Sequence, residues 1–344
     1  MKKIINHKLR YRILLLTVIA AVIAYVAYNL FSPISNSDKN EIVYIDADDD
    51  VDSVCTKLSV FAKSSQLGVL KTVFRHSKYS DNVKTGRYEI GCSDGVYSVF
   101  KKLKNGLQQP VMVTVPSART LDQIAAKVSG YLMIDSTEIS ELLTAPDTPA
   151  EYGFNAQTLP CMFIPNTYDF YWNVSATKFL NRMKKEYDAF WSGERKQKAD
   201  AMKLTPVEVS TLASIVDEET ANNAEKPIIA GLYYNRLQRG MKLQADPTVK
   251  FAMNDPSIRR ILNRMLTTDS PYNTYMHEGL PPGPIRVPSV QGIDAVLNYQ
   301  HHDYLYMCAK EDFSGTHNFA CTSAEHAANA RRYAAALNAR GIKR

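Results

Sequence analysis

Three consecutive acids, Asp217, Glu218 and Glu219, close the apolar run Val209-Ser-Thr-Leu-Ala-Ser-Ile-Val216. The segment opens as a helix at Thr205-Pro206-Val207-Glu208: Thr205 suits the cap, Pro206 the first turn, and Glu208 completes a capping box. At about 100° per residue, Glu219 falls about 20° from Leu212, inside the apolar stripe shared with Ile215 and Val216. Asp217 and Glu218 fall about 140° and 240° round, off that stripe, and read as a solvated face. A carboxyl among apolar neighbours loses hydration, which raises its pKa. A carboxylic acid still protonated near neutral pH is what cleavage of a glycosidic bond needs, because the leaving oxygen must gain a proton. Spacing leaves a second reading open, in which Glu219 ends the helix and turns to solvent or pairs with a base such as Arg236.

Other chemistry-bearing residues are fewer. Leu243–Val249 offers an amide and a carboxylate, Gln244 and Asp246, before a rigid proline, and such groups suit sugar hydroxyls and N-acetyl groups. An Asp-Pro pair is equally an ordinary turn starter. Tyr272, Asn273 and Tyr275 could line a sugar face or form a packed aromatic loop. His301, His302, His317 and His326 lack HExxH or HxH spacing, so no metal site is expected. There is no GxSxG or SxxK element for a serine nucleophile. A two-carboxylate hydrolase generally needs a pair of opposed acids. Only Glu219 lies on the apolar stripe, and Asp246 is the candidate for a second.

These residues need elements to hold them. Of the net charge of +6, five positive charges (Lys2, Lys3, Lys8, Arg10, Arg12) precede residue 13, which leaves the remainder near neutrality. No basic stripe of a nucleic-acid binder stands out in the folded part. Ile13–Phe31 is 19 residues without formal charge, roughly 28 Å as a helix and enough for a bilayer core. Its length and its Tyr-Asn-Leu-Phe end favour a retained anchor over a cleaved signal peptide. The basic flank puts residues 1–12 in the cytoplasm and the rest outside. Ser32–Asn40 reads as a polar tether. Strands at Glu41–Asp46 and Gly86–Ile90 flank helices at Val51–Lys63 and Gln66–Arg75, and a further helix spans Asp94–Leu103. Residues 41–108 thus form a small βααβ unit. Beyond it come a strand at Pro110–Pro116, helices at Thr120–Tyr131 and Ser136–Leu143, and one long polar helix at Ala176–Gln197. Cys55, Cys92, Cys161, Cys308 and Cys321 show no metal spacing. Most read as buried small hydrophobes, with Cys308–Cys321 a conceivable bridge.

Several motifs together carry a resemblance. Ala213-Ser-Ile-Val-Asp-Glu-Glu-Thr220 resembles the ASI(V/I)EKET signature of the endolytic murein transglycosylase (YceG-like) family. Ala230-Gly-Leu-Tyr-Tyr-Asn-Arg-Leu237, Met241–Val249, Ser270–Tyr275 and Gly279–Ile285 resemble its following elements, and Tyr304–Tyr306, His317 with Phe319, and His326 its last ones. Departures are Asp217 and Glu218 inside the signature, Val115-Pro-Ser-Ala for an IPEG element, and Val287 for an asparagine. The resemblance covers roughly residues 110–335. It implies an α+β fold: a single transmembrane helix (13–31), a linker (32–40), a LysM-like domain (41–108) and a mixed α/β catalytic domain (109–344). It implies Glu219 as the catalytic acid, and a glycan substrate held by Gln244, Asp246, Tyr272, Asn273, Thr274, Tyr275 and His317. No cofactor is implied. The activity would be lytic cleavage of peptidoglycan strands at the inner membrane, to 1,6-anhydro ends, beside peptidoglycan synthases. A lysozyme-like hydrolase and a non-catalytic glycan-binding scaffold are the alternatives.

Overall fold

The computed structural model describes residues 2–255, 258 and 261–341, with side chains from residue 9 onward. The side chains of Lys2, Lys3 and Lys8 in the basic flank lie outside the described residues. Two compact units emerge: Met1–Met112 with Tyr131–Met133 and Asp169–Val174, and Val113–Gly130 with Ile134–Tyr168 and Ser175–Arg344.

The first unit starts with helix α1 (Lys2–Phe31), whose stretch Leu9–Phe31 has mean hydropathy 2.3 and is long and apolar enough to cross a membrane. Two polar side chains between Ile13 and Phe31 bond back onto the helix. Thr17 Oγ1 donates to the Ile13 carbonyl (2.5 Å) and Asn29 Nδ2 to that of Tyr25 (2.8 Å), as an apolar surround requires. After β1 (Glu41–Ile45) come α2 (Val51–Ser59), α3 (Ser64–His76), β2 (Gly86–Ile90) and α4 (Val96–Asn105). Asp50 caps α2 by accepting from the Ser53 amide. α4 stops at Gly106, whose φ of +67° only glycine adopts cheaply. β1 and β2 pair antiparallel from Glu41↔Ile90 to Ile45↔Gly86, and their alternation turns Val43, Ile45, Tyr88 and Ile90 onto Leu58, Leu70, Phe74 and Val99. Full burial of side chains of this size contributes about 1.5–3 kcal/mol each.

Residues 32–40 differ from the tether expected of their polarity. Ile34 is fully buried in this core, and bridges join Pro33 to Gly95 and Ser35 to Ala62. One isoleucine with backbone partners on both sides outweighs the surrounding serines.

The second unit begins at Val113 within β3 (Val111–Val115), followed by α5 (Leu121–Ser129), α6 (Ser136–Thr144), α7 (Thr148–Glu151) and, as far as Tyr168, β4 (Asn166–Phe170), the partner of β3. Then come α8 (Ala176–Phe190), α9 (Glu194–Ala201), α10 (Pro206–Glu219), α11 (Lys226–Gln238), α12 (Asp246–Met253) and α13 (Val290–Leu297). The hairpin β5 (Tyr306–Ala309) and β6 (His317–Ala320) and helix α14 (Ser323–Ala339) complete it. The long helix expected over 176–197 is two helices. Trp191 turns into the core, and Gly193 at φ +68° breaks the helical path between them. All five cysteines are free. Cys55 and Cys161 are buried, Cys92 and Cys308 half-buried and Cys321 exposed. Asn318, not Cys321, stands opposite Cys308.

Candidate active site

α10 is the central helix of the second unit. Its capping box forms as its sequence dictates: Thr205 Oγ1 accepts from the Glu208 amide, and Glu208 accepts from that of Thr205. The apolar stripe, however, is only part of what is buried. Every residue from Val209 to Val216 is covered, polar ones included. Ser214 is accommodated because its Oγ donates to the Thr211 carbonyl (2.7 Å) and accepts from the Ile285 amide (3.0 Å). That second bond ties the Gly279–Ile285 loop to the helix.

The three acids at its end have three different surroundings. Asp217, 4 % exposed at its side chain, forms an ion pair with Lys226 Nζ (2.7 Å). It also accepts from the Ser289 amide (2.6 Å) and hydroxyl (2.9 Å) at the start of α13, where a helix favours negative charge. The approach is close enough that a Cβ on Gly292 would lie 2.5 Å from the carboxylate. Glu218 receives two bonds from Arg119 (3.2 and 2.8 Å) and one from Arg286 (2.8 Å). Neither acid is the solvated face that helical phase suggests, because α13 and the two arginines come from far along the chain.

Glu219 neither turns to open solvent nor meets Arg236. Its Oε1 accepts from the Tyr233 hydroxyl of α11 at 2.6 Å, and it lines a cavity of about 410 Å³. Loss of hydration there pushes its pKa up to about 7. The Tyr233 bond acts in the opposite direction, and the charges of Asp246 and Glu218 add to the rise. Arg236, 6 % exposed, instead donates to the carbonyls of Leu305 (2.6 Å), Lys242 (2.9 Å) and Leu243 (3.0 Å) and to Gln244 Oε1 (3.1 Å). It thereby holds the Met241–Ala245 loop against β5.

Gln244, Asp246, Tyr275 and His317 line the same cavity. Gln244 reaches it with a φ of +52°, a left-handed conformation unusual outside glycine. Asp246 opens α12 and accepts from the Tyr275 hydroxyl at 2.7 Å. Burial and the adjacent Asp246 carboxylate raise the Tyr275 pKa, so its proton stays on. His317 Nδ1 lies 3.2 Å from Glu225, whose other oxygen accepts the His317 amide.

Tyr272, Asn273 and Thr274 are not brought to this cavity. Asn273 is fully buried and donates to the carbonyls of Leu266 (2.9 Å) and Thr268 (2.8 Å). Thr274 Oγ1 accepts from the Ala245 amide (3.0 Å), and its carbonyl accepts from the Gln244 amide (3.0 Å). Tyr272 packs beside Phe251, ring centroids 4.7 Å apart. These residues shape the loop that carries Gln244 and Tyr275.

Sequence reasoning missed Tyr233, Tyr306 and His326 as cavity residues, and the alternative pairing of Glu219 with Arg236 does not form. His326 Nδ1 is buried without a partner, and its ring lies parallel to Tyr306 (5.5 Å, 22°). Burial, and then the Arg236 charge, lower its pKa, so it is a neutral imidazole at pH 7. The signal available for Tyr233 and Arg236 was their spacing of three on α11, which puts them on one helical face.

The cavity thus offers a carboxyl with a pKa of about 7, a second acidic side chain, an amide and a buried guanidinium, all on packed elements. The model of the YceG-like family matches residues 43–332. An endolytic murein transglycosylase of Bacillus subtilis (strain 168) is 30% identical over 308 residues, 83% of each chain. The endolytic murein transglycosylase of Streptococcus pneumoniae (strain D39) is 27% identical over 320 residues, 83% of this chain but only 57% of that longer one. The crystal structure of a YceG-like protein from Listeria monocytogenes matches with TM-score 0.55 and 26% identity, over 85% of this chain and 99% of that one. From the family model and the Bacillus relative together, the chain belongs to the YceG-like family.

Proposed function

We propose that this chain is a lytic transglycosylase that cuts peptidoglycan glycan strands internally, with Glu219 as acid and then base. The observation that carries the reading is a carboxyl at about 7, bonded among the described residues to one neutral hydroxyl, on the wall of a cavity of about 410 Å³. Glu219 donates its proton to the oxygen between N-acetylmuramic acid and N-acetylglucosamine as the bond to C1 breaks. The resulting carboxylate takes the proton of the muramoyl C6 hydroxyl, whose oxygen closes on C1 as a 1,6-anhydro ring. Proton and electron pairs balance without water, so no opposed second acid is required. The names of the Bacillus and Streptococcus relatives support the same reaction.

Asp246 keeps a second reading in play. It lines the cavity, and its charge raises the pKa of Glu219. A lysozyme-like hydrolase would use it to direct water onto C1. Gln244, Asp246, Tyr275 and His317 are the residues we assign to sugar binding.

The remaining assignments concern where the reaction takes place. α1 anchors the chain as a single pass, with the basic flank cytoplasmic and the cavity on the outer face of the inner membrane. Residues 41–108, with two helices between paired strands, act as a LysM-like module on the same strands, beside peptidoglycan synthases. The test is digestion of purified sacculi by the full chain in detergent, with mass spectrometry of the products. 1,6-anhydro muropeptides that vanish with Glu219→Gln support the transglycosylase. New reducing ends support the hydrolase. No product from the unaltered chain, with retained sacculus binding, leaves the scaffold reading.

A further inference from the structure

The cavity of Glu219 is not alone at the end of α10. A second cavity of about 320 Å³ opens beside it. Two pairs of sequence neighbours are divided between them: Glu219 and Asp246 line the first, Glu218 and Pro247 the second. A third hollow of about 260 Å³ adjoins the second, sharing Arg119, Thr120 and Phe251 with it.

The lining of this groove differs in kind from that of the catalytic cavity. Its apolar wall is the ring pair Phe251–Tyr272, with Phe251 38% exposed. Its charge is an excess of cations: Arg119, Arg286 and Lys250 face Glu218 and Asp255. Glu218 alone serves two guanidiniums, and Arg286 Nε is buried with no acceptor. Sugars are met by amides, carboxylates and aromatic faces. A cation-rimmed hollow with an aromatic wall suits a peptide that carries a carboxylate.

We infer that this groove binds the carboxylate-bearing peptide that hangs from the lactyl ether of the muramic sugar, and so selects peptide-bearing over bare glycan strands. The inference rests on the transglycosylase reading for the position of that sugar. A muramoyl residue with C1 at Glu219 sits in the cavity next to the groove, since Glu219 and Asp246 line the one and their sequence neighbours Glu218 and Pro247 the other. The guanidiniums then take the peptide carboxylate, and Phe251 and Tyr272 cover its apolar side chains.

Two measurements on the full chain in detergent test this. In the first, cleavage rates are compared on peptide-bearing strands and on strands stripped of peptides by an amidase. The ratio exceeds one for the unaltered chain and falls about tenfold with Lys250→Glu and with Phe251→Ala, at unchanged thermal midpoint. In the second, the free peptide released by the amidase binds the unaltered chain and binds about tenfold more weakly to Lys250→Glu. A ratio of one, or one that the variants do not move, overturns the groove. So does a free peptide that binds both proteins alike or neither. Strands that stay uncut while the free peptide binds in a Lys250-dependent way would instead overturn the transglycosylase reading and leave the groove standing.

Discussion

The end of α10 presents like groups to two unlike regions. Toward α13 and the two arginines, Asp217 and Glu218 sit in ion pairs with Lys226, Arg119 and Arg286. Toward the 410 Å³ cavity, Glu219 accepts from a tyrosine hydroxyl and, among the described residues, pairs with no cation. Residue type is the same for Glu218 and Glu219, and so is the helix. What differs is the partner: cations meet Asp217 and Glu218, whereas at Glu219 loss of hydration beside a neutral hydroxyl brings the pKa up to about 7.

The contrast can be broken most severely at Glu219. Glu219→Gln keeps the shape and the Tyr233 contact but has no proton to give, and the rate of strand cleavage falls roughly 10²–10⁴-fold. Glu218→Gln leaves far more of the rate, and equal losses would erase the distinction. Next in size, Lys226→Met strands the buried Asp217 carboxylate without its cation. The cost is about 3 kcal/mol, read as a lower thermal midpoint at pH 7. Tyr233→Phe removes the one bond that stabilises the Glu219 carboxylate, so the alkaline limb of the pH–rate profile moves to higher pH. The smallest effect belongs to the outer side. Arg119 is half exposed at its side chain (53%), so Arg119→Ala costs less than about 1 kcal/mol of stability.

Local signals carried much of this. The capping box at Thr205 and Glu208 depends on residues within a turn of one another, and it forms as read. Glu219 was separated from its neighbours by helical phase, although the reason given was incomplete: the helix is buried all round, and Ser214 is as covered as Leu212. What sequence could not show depends on distant partners. Arg119 and Arg286 reach Glu218 from 99 and 68 residues away, and Ser289 meets Asp217 across 72. Asn273 and Thr274 have the same side-chain chemistry whether they face a sugar or a carbonyl, and only the fold turned them inward. The break at Gly193 was different in kind. A glycine after an apolar run is a stop signal, and it was there to be weighed against the polar periodicity on either side.

The most direct test is the pH dependence of single-turnover cleavage of purified glycan strands by the full chain. In the proposed mechanism Glu219 must hold its proton to cut, so the rate is high below its pKa and falls as pH rises, with a midpoint at about 7. A midpoint near the ordinary carboxyl value of 4.5, or a rate flat through neutrality, would contradict the assignment of Glu219 as a dehydrated acid.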